Sequence, residues 1–241
     1  MSVGFPWTEE QLSHRLREAV RGYWHVRTGQ ADRQRAAGVR DTGTRGEVTG
    51  GRHLHALGDL LCDVANLAGF TAAEIRFQSQ VELPGYYRPT KKWDMIVVRA
   101  NRLCAAIEMK SHVGSFGNNF NNRTEEAIGN SVDLWRAYQQ GTLGAFQPWV
   151  GYLLLLEDAP PSTRAIRLSR SLFRPEEIFE RTSYADRYRI LCERMVLERN
   201  YTAAALILSA RNGNGSYRDG SEGLSLARFI RSLYGHLVGC A

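Results

Sequence analysis

Residues 93–110, WDMIVVRANRLCAAIEMK, contain two apolar runs separated by a short polar turn. Their pattern predicts an antiparallel hairpin of two strands, residues 92–99 and 103–110. Asn101 is expected at the tip, because asparagine tolerates the left-handed backbone conformation that tight turns often need. In that register Asp94 lies directly across from Glu108.

Two acids and a lysine then share one face of the hairpin. Because side chains alternate across a strand, Lys110 lies on the same face as Glu108, while Trp93 and Met95 point away from Asp94. Directly opposed carboxylates lie about 5 Å apart at Cβ and repel each other unless a proton or a cation separates them. A hard divalent ion such as Mg²⁺ binds carboxylate oxygens and would resolve the conflict.

Lys110 would lie beside that ion, where it could orient or help deprotonate a water and balance charge on an attacked phosphate. The pattern therefore predicts a metal-dependent phosphodiester hydrolase. Glu-x-Lys at a strand end is also common on solvated faces, where it has no catalytic role. The aspartate expected opposite Glu108 is what favours the catalytic interpretation.

A polar loop is predicted directly after the second strand, in the sequence VGSFGNNFNNR of residues 113–123. Asparagine can pair bidentately with adenine in the major groove, and arginine does the same with guanine. Contact with DNA bases or backbone is therefore expected from Asn118, Asn119, Asn121, Asn122 and Arg123. The asparagines could instead serve only to build turns.

These residues resemble a known pattern. Asp94 followed by Glu108-Met109-Lys110 resembles the PD-(D/E)xK nuclease motif, although Trp93 stands where the nominal motif has proline. With the run GNNFNNR at residues 117–123, the chain is similar to the XhoI family of type II restriction endonucleases.

The resemblance implies Mg²⁺-dependent double-strand cleavage of the palindrome CTCGAG with 5′ overhangs. It makes Asp94 and Glu108 the metal ligands and Lys110 the residue that positions water. An acid on an earlier helix often adds to such sites, and three residues are candidates: Glu47, Asp59 and Asp63.

Alternating elements along the rest of the chain predict an α/β fold, in which a mixed sheet begins as an antiparallel meander, continues with a parallel strand and is flanked by helices. The expected helices are residues 8–28, 53–68, 124–140, 175–199 and 224–237. The other expected strands are residues 75–83, 149–157 and 203–209. His53 and His55 are expected at the surface, because on a helix they point to different faces.

The 241 residues are expected to form one domain, with residues 33–52 as a flexible arm rich in arginine and glycine. That arm is either a solvated linker or a segment that orders on nucleic acid. Four separated cysteines without a CxxC pair, no secretory signal and no apolar span indicate a cytoplasmic protein with reduced thiols. A net charge of +6 and a pI of about 9.3 are compatible with a polyanionic partner.

Double-stranded DNA is the expected partner, and a two-fold symmetric target is most simply cut by a homodimer. A cognate DNA methyltransferase is expected to protect the host's own sites. Two other functions remain open from the sequence. One is a structure- or damage-specific repair nuclease of the same fold, and the other is a DNA-binding module in which the acidic pair is only structural.

Overall fold

The predicted hairpin lies within a six-stranded mixed sheet. The computed structural model describes residues 4–36, 52–168 and 171–241. The strands are β1 (Ile75–Phe77), β2 (Glu82–Pro84), β3 (Thr90–Lys92), β4 (Met95–Arg99), β5 (Arg102–His112), β6 (Trp149–Glu157), β7 (Ala203–Ser209) and β8 (Arg218–Asp219). The α-helices are α1 (Glu9–Ala36), α2 (His55–Leu67), α3 (Phe116–Gln139), α4 (Pro160–Thr163), α5 (Tyr184–Leu197) and α6 (Leu226–Cys240).

The main sheet has the strand order β1-β4-β5-β6-β7-β8, and β2 pairs with β3 in a separate two-stranded sheet. The pairs β1–β4, β4–β5 and β7–β8 are antiparallel, whereas β5–β6 and β6–β7 are parallel. Helices cover both faces of the sheet. The predicted fold class, an antiparallel meander continued by parallel strands between helices, is confirmed.

The register of the β4–β5 hairpin depends on two compensating irregularities. A two-residue turn of Ala100 and Asn101, both with positive φ, joins the strands. A bulge then shifts the register by one residue between Val97 and Val98, so that Met95 pairs with Ile107. A one-residue slip would turn every side chain of one strand to the opposite face. The bulge thus restores the register predicted from a tip at Asn101.

The two faces of the sheet bury separate apolar cores. Helices α1, α2 and α6 pack against Met95, Ile107 and their neighbours on one face. Helices α3 and α5 pack against Ile96 and Ala106 on the other. Since Glu108 lies two residues beyond Ala106 in β5, it belongs to the face covered by α3.

The strands predicted at residues 75–83 and 92–99 are each broken in two. The second break falls at Trp93, whose backbone N–H donates to the carbonyl of Val81 3.0 Å away. Trp93 consequently packs in the core beneath α3 and not on the face of Met95 and Val97, where alternation placed it. The break separates β3, which belongs to the small sheet, from β4.

Capping hydrogen bonds determine where two of the helices begin. The helix predicted from residue 175 begins only at Tyr184, because Ser183 and Asp186 form a reciprocal capping box. Thr8 and Gln11 cap α1 in the same way, and α1 continues to Ala36.

Of the predicted arm, residues 33–36 belong to α1, and residues 37–51 lie outside the described part of the chain. No helix in that part is long and apolar enough to span a bilayer.

Candidate active site

A cleft of about 520 Å³ opens at the end of β5, between α1, the short 3-10 turn before α2, strand β3 and the first half of α3. It contains the three residues predicted for catalysis. The lining side chains are Arg27, His53, Leu54, Lys91, Asp94, Glu108, Met109, Lys110, Ser111, His112, Val113, Asn119, Arg123, Glu126 and Asn130.

Glu108 is held in this cleft by two lysines. Its side chain is only 2% exposed; the ammonium of Lys91 lies 2.8 Å from Oε2, and the ammonium of Lys110 pairs with Oε1. Burial disfavours the charged form of Glu108, but Lys110 and Lys91 outweigh burial and hold the pKa of this carboxyl below its usual range. Glu108 is therefore a carboxylate at neutral pH.

Asp94 lies just before β4, next to Glu108 in the hairpin register. Its Oδ2 accepts a hydrogen bond of 2.7 Å from the backbone N–H of Met109, which fixes the carboxyl group towards β5. Burial, together with the negative charge of Glu108, raises the pKa of Asp94 to about 6. The like-charge conflict predicted for this pair is thus present in the structure.

This donor set fits a magnesium ion. Mg²⁺ is commonly held by one or two carboxylates and completes its shell with waters and substrate phosphates. Within the described residues no group of three or more His, Cys, Asp or Glu side chains is placed to hold a metal. Asp94 and Glu108 would therefore be the protein's contribution, and a cation between them would relieve the repulsion that, together with burial, raises the pKa of Asp94.

The acids considered as additions to the site lie elsewhere or outside the described residues. Asp59 and Asp63 line a separate groove between α1 and α2. Asp63 pairs there with Arg15 at 3.1 Å. Glu47 falls in the undescribed segment of residues 37–51.

The asparagine run is the beginning of a helix, not a loop. Helix α3 starts at Phe116, eight residues before the predicted start at Thr124, and the Thr124 hydroxyl donates to the carbonyl of Phe120 within the helix. Phe116 and Phe120, one turn apart, pack against His112 and Tyr188 respectively. These aromatic anchors outweigh the low helix propensity of the asparagines.

Helical periodicity divides the predicted DNA-binding residues. Asn119 and Arg123, one turn apart, line the cleft, and Glu126 and Asn130 continue the same stripe. Arg123 pairs with Glu126 at 3.0 Å. Asn121 and Asn122 are exposed but are not among the residues that line the cleft. For Asn118 only the backbone position, in the first turn of α3, is described.

Several cleft residues were missed by sequence reasoning. Lys91 reaches the cleft from the separate hairpin of β2 and β3, and Arg27 reaches it from α1. His53, expected at the surface, is 3% exposed, and its Nε2 is in hydrogen-bonding contact with the Ser111 hydroxyl at 3.0 Å. One signal was available for Lys91, because all three lysines of the chain lie at positions 91, 92 and 110.

An aspartate and a Glu-x-Lys strand, brought together on the antiparallel part of a mixed sheet, define a restriction-endonuclease-like nuclease. A family model described as "Restriction endonuclease XhoI" matches residues 33–219. The chain belongs to this family of type II restriction endonucleases.

Three relatives support this membership. The type II restriction enzyme BstVI of Geobacillus stearothermophilus is 41% identical over 211 residues, or 84% of this chain and 94% of the relative. The type II restriction enzyme XhoI of Xanthomonas vasicola is 42% identical, over 76% of this chain and 74% of the relative. AbrI of Azospirillum brasilense, also a type II restriction enzyme, is 44% identical over 62% and 68%. No solved structure matches the chain significantly.

Proposed function

We propose that the protein hydrolyses both strands of DNA at the palindrome CTCGAG in a Mg²⁺-dependent reaction that leaves 5′ overhangs. The hexamer and the overhangs are those implied by the resemblance to the XhoI family. The metal dependence rests on one observation, the position of the Asp94 carboxyl group beside the buried carboxylate of Glu108 in one cleft.

Asp94 and Glu108 would hold the ion at the end of β5. When bound, Mg²⁺ supplies a Lewis acid for the scissile phosphate and lowers the pKa of an attacking water. The backbone N–H of Met109 keeps the Asp94 carboxyl group oriented. Lys110 stays protonated, because Glu108 and Asp94 raise its pKa despite burial. Its role is to position the water and offset charge on the phosphate.

DNA contact is assigned to the start of α3. Asn119 and Arg123 are supported by their position on the cleft wall, one helical turn apart. The proposed DNA contacts of Asn121 and Asn122 are supported by the exposure of these side chains on neighbouring faces of the same turns. The proposed contact of Asn118 rests on the sequence alone. A helix that carries asparagine and arginine has the chemistry to read base edges in the major groove.

The active species is proposed to be a homodimer, because a palindrome presents two equivalent scissile phosphates related by a two-fold axis. A cognate DNA methyltransferase is its proposed functional partner. Cleavage is expected to weaken with added salt, since phosphate contacts release counterions from DNA.

Digestion of two matched plasmids, with and without a CTCGAG site, tests the proposal. Wild type and Glu108→Ala are compared in Mg²⁺ and in EDTA. Wild type in Mg²⁺ should linearise only the plasmid that carries the site, whereas Glu108→Ala and all EDTA reactions should leave DNA intact. Cleavage of both plasmids would favour a less specific nuclease. Folded wild type that binds DNA but cuts nothing in Mg²⁺ or Mn²⁺ would favour a non-catalytic DNA-binding module.

A further inference from the structure

Glu108 has one cationic partner more than the Glu-x-Lys pattern provides. Lys110 comes from the same strand, but Lys91 reaches Glu108 from β3, in the small separate sheet. The Lys91 side chain is 13% exposed, and its ammonium also donates to the carbonyl of Lys92 at 2.6 Å. It lies 4.9 Å from the centre of the Trp93 ring. Lys91 is therefore inserted into the cleft in a defined position.

The backbone that carries Lys91 is attached to the cleft wall. Asp133 of α3 accepts hydrogen bonds of 2.8 Å from the backbone N–H groups of Tyr86 and Tyr87, and it pairs with Arg88 at 2.7 Å. A Cβ on Gly85 would approach the Arg88 carbonyl to 2.6 Å, so only glycine fits this turn. The β2–β3 hairpin is thus fixed to α3, so a change of partner by Lys91 would have to come from its side chain alone.

Charge balance shows what such a change would do. With both acids ionised, Asp94 and Glu108 cancel Lys91 and Lys110, so these four side chains are together neutral before any ion enters. A divalent ion leaves this group with an excess of two positive charges, which the phosphates of DNA can offset. An ion and the ammonium of Lys91 would also repel each other strongly if both stayed at Glu108 Oε2.

We propose that Lys91 is a positioning residue that acts as a built-in counter-ion. It neutralises Glu108 when no metal is bound, and it releases Oε2 to the metal and turns to a DNA phosphate in the assembled complex. Lys91 thereby weakens metal binding to the free protein and couples metal binding to DNA binding. This inference rests on the proposed metal-dependent cleavage.

Lys91→Met and Lys92→Met form a matched pair that tests it. Both remove one positive charge, but Lys92 is exposed and is not among the cleft residues. Mg²⁺ binding to each DNA-free protein is measured by titration calorimetry at pH 8. Lys91→Met should bind Mg²⁺ about tenfold more tightly than wild type, equivalent to about 1.4 kcal/mol. Lys92→Met should bind it as wild type does.

The same Mg²⁺ titrations are then repeated with each protein bound to DNA that carries the target site. In wild type, bound DNA should tighten Mg²⁺ binding, and in Lys91→Met this enhancement should be largely lost. Cleavage by Lys91→Met should be slower despite its tighter metal binding. Lys91→Arg, which keeps the charge, should retain weak Mg²⁺ binding in the free protein. Lys91→Gln replaces Lys91→Met if the latter does not fold.

Unchanged Mg²⁺ affinity in a folded Lys91→Met protein would overturn the inference, because a purely structural lysine would lower thermal stability without altering metal affinity. That result is distinct from failure of the proposed function. If wild type itself neither binds Mg²⁺ nor cuts DNA, the metal-dependent function fails. If wild type does both while Lys91→Met binds Mg²⁺ like wild type, only the role of Lys91 fails.

Discussion

Two surface pockets of similar size in this protein, the cleft and the groove, are lined by acidic residues but differ in the burial of those residues. The cleft at the end of β5 measures about 520 Å³, and the groove between α1 and α2 about 420 Å³. Glu108 in the cleft is 2% exposed, whereas the side chain of Asp63 in the groove is 53% exposed. An acid in water needs no special partner, while a buried pair of acids needs a compensating cation.

The difference arises from the elements that carry the acids. Asp59 and Asp63 are one turn apart on the solvent side of a helix, where Asp63 meets Arg15, itself 46% exposed. Such exposed pairs contribute about 0–1 kcal/mol. Glu108 lies in a central strand between two neighbours, so it cannot turn to water. The cleft therefore retains a like-charge conflict that the groove avoids, and this conflict, not the number of acids, identifies the candidate active site.

The largest difference between the cleft and the groove is expected in the rate of DNA cleavage. Asp94→Asn removes one proposed ligand but preserves the acceptor for the Met109 N–H, so the fold is expected to remain intact. The cleavage rate of CTCGAG-containing DNA should fall by about 10³-fold or more, since several kcal/mol of charge stabilisation are lost. Asp63→Asn, which makes the same change in the groove, should cut at the wild-type rate. Equal losses of cleavage rate in the two variants would mean that the cleft and the groove do not differ in function.

The acidic pair could be predicted from sequence because it depends on local geometry. Strand alternation and the position of one turn were sufficient to bring Asp94 to Glu108 and Lys110. The prediction used a tip at Asn101 and did not foresee that a two-residue turn and a bulge together produce that register. The fold class was equally accessible, because buried strands such as β6 and β7 are read from apolar runs.

Long-range packing accounts for what the sequence did not reveal. Four asparagines indicate a loop by propensity, whereas contacts of Phe116 and Phe120 with distant aromatic rings favour a helix in this segment. Lys91 belongs to a different sheet from Glu108, so no local period relates the two. His53 is buried because β5 passes beside it, a placement that helix periodicity cannot give.

A smaller effect concerns stability without metal. Burial and Glu108 raise the pKa of Asp94 from 3.8 to about 6, so the folded state binds this proton more tightly than the unfolded state does. The contribution of Asp94 to stability therefore falls as pH rises from about 4 to about 6, by at most about 3 kcal/mol, and stays low above pH 6. Asp94→Asn removes this dependence.

In EDTA at pH 8 the Asp94→Asn protein should thus be more stable than wild type by about 1–3 kcal/mol, and the difference should vanish near pH 4. Urea unfolding of both proteins across this range measures it. Saturating Mg²⁺ should reduce the difference at pH 8 by stabilising only wild type. A difference that is constant with pH would mean that neither burial nor the charge of Glu108 raises the pKa of Asp94 in the folded protein.

The smallest effect is expected from substitutions of the acids in the groove. The double variant Asp59→Asn/Asp63→Asn removes both acids that were candidates to complete the metal site, and it breaks the exposed pair with Arg15. Stability should fall by no more than about 1 kcal/mol, and Mg²⁺-dependent cleavage should stay within about twofold of wild type, because exposed charges in water are strongly screened. Urea unfolding and plasmid digestion measure the two quantities.

A loss of cleavage comparable to that of Asp94→Asn, in a protein that unfolds normally, would mean that an exposed helical acid takes part in catalysis although it lies in a separate groove. Burial would then be the wrong criterion for the acids of this site.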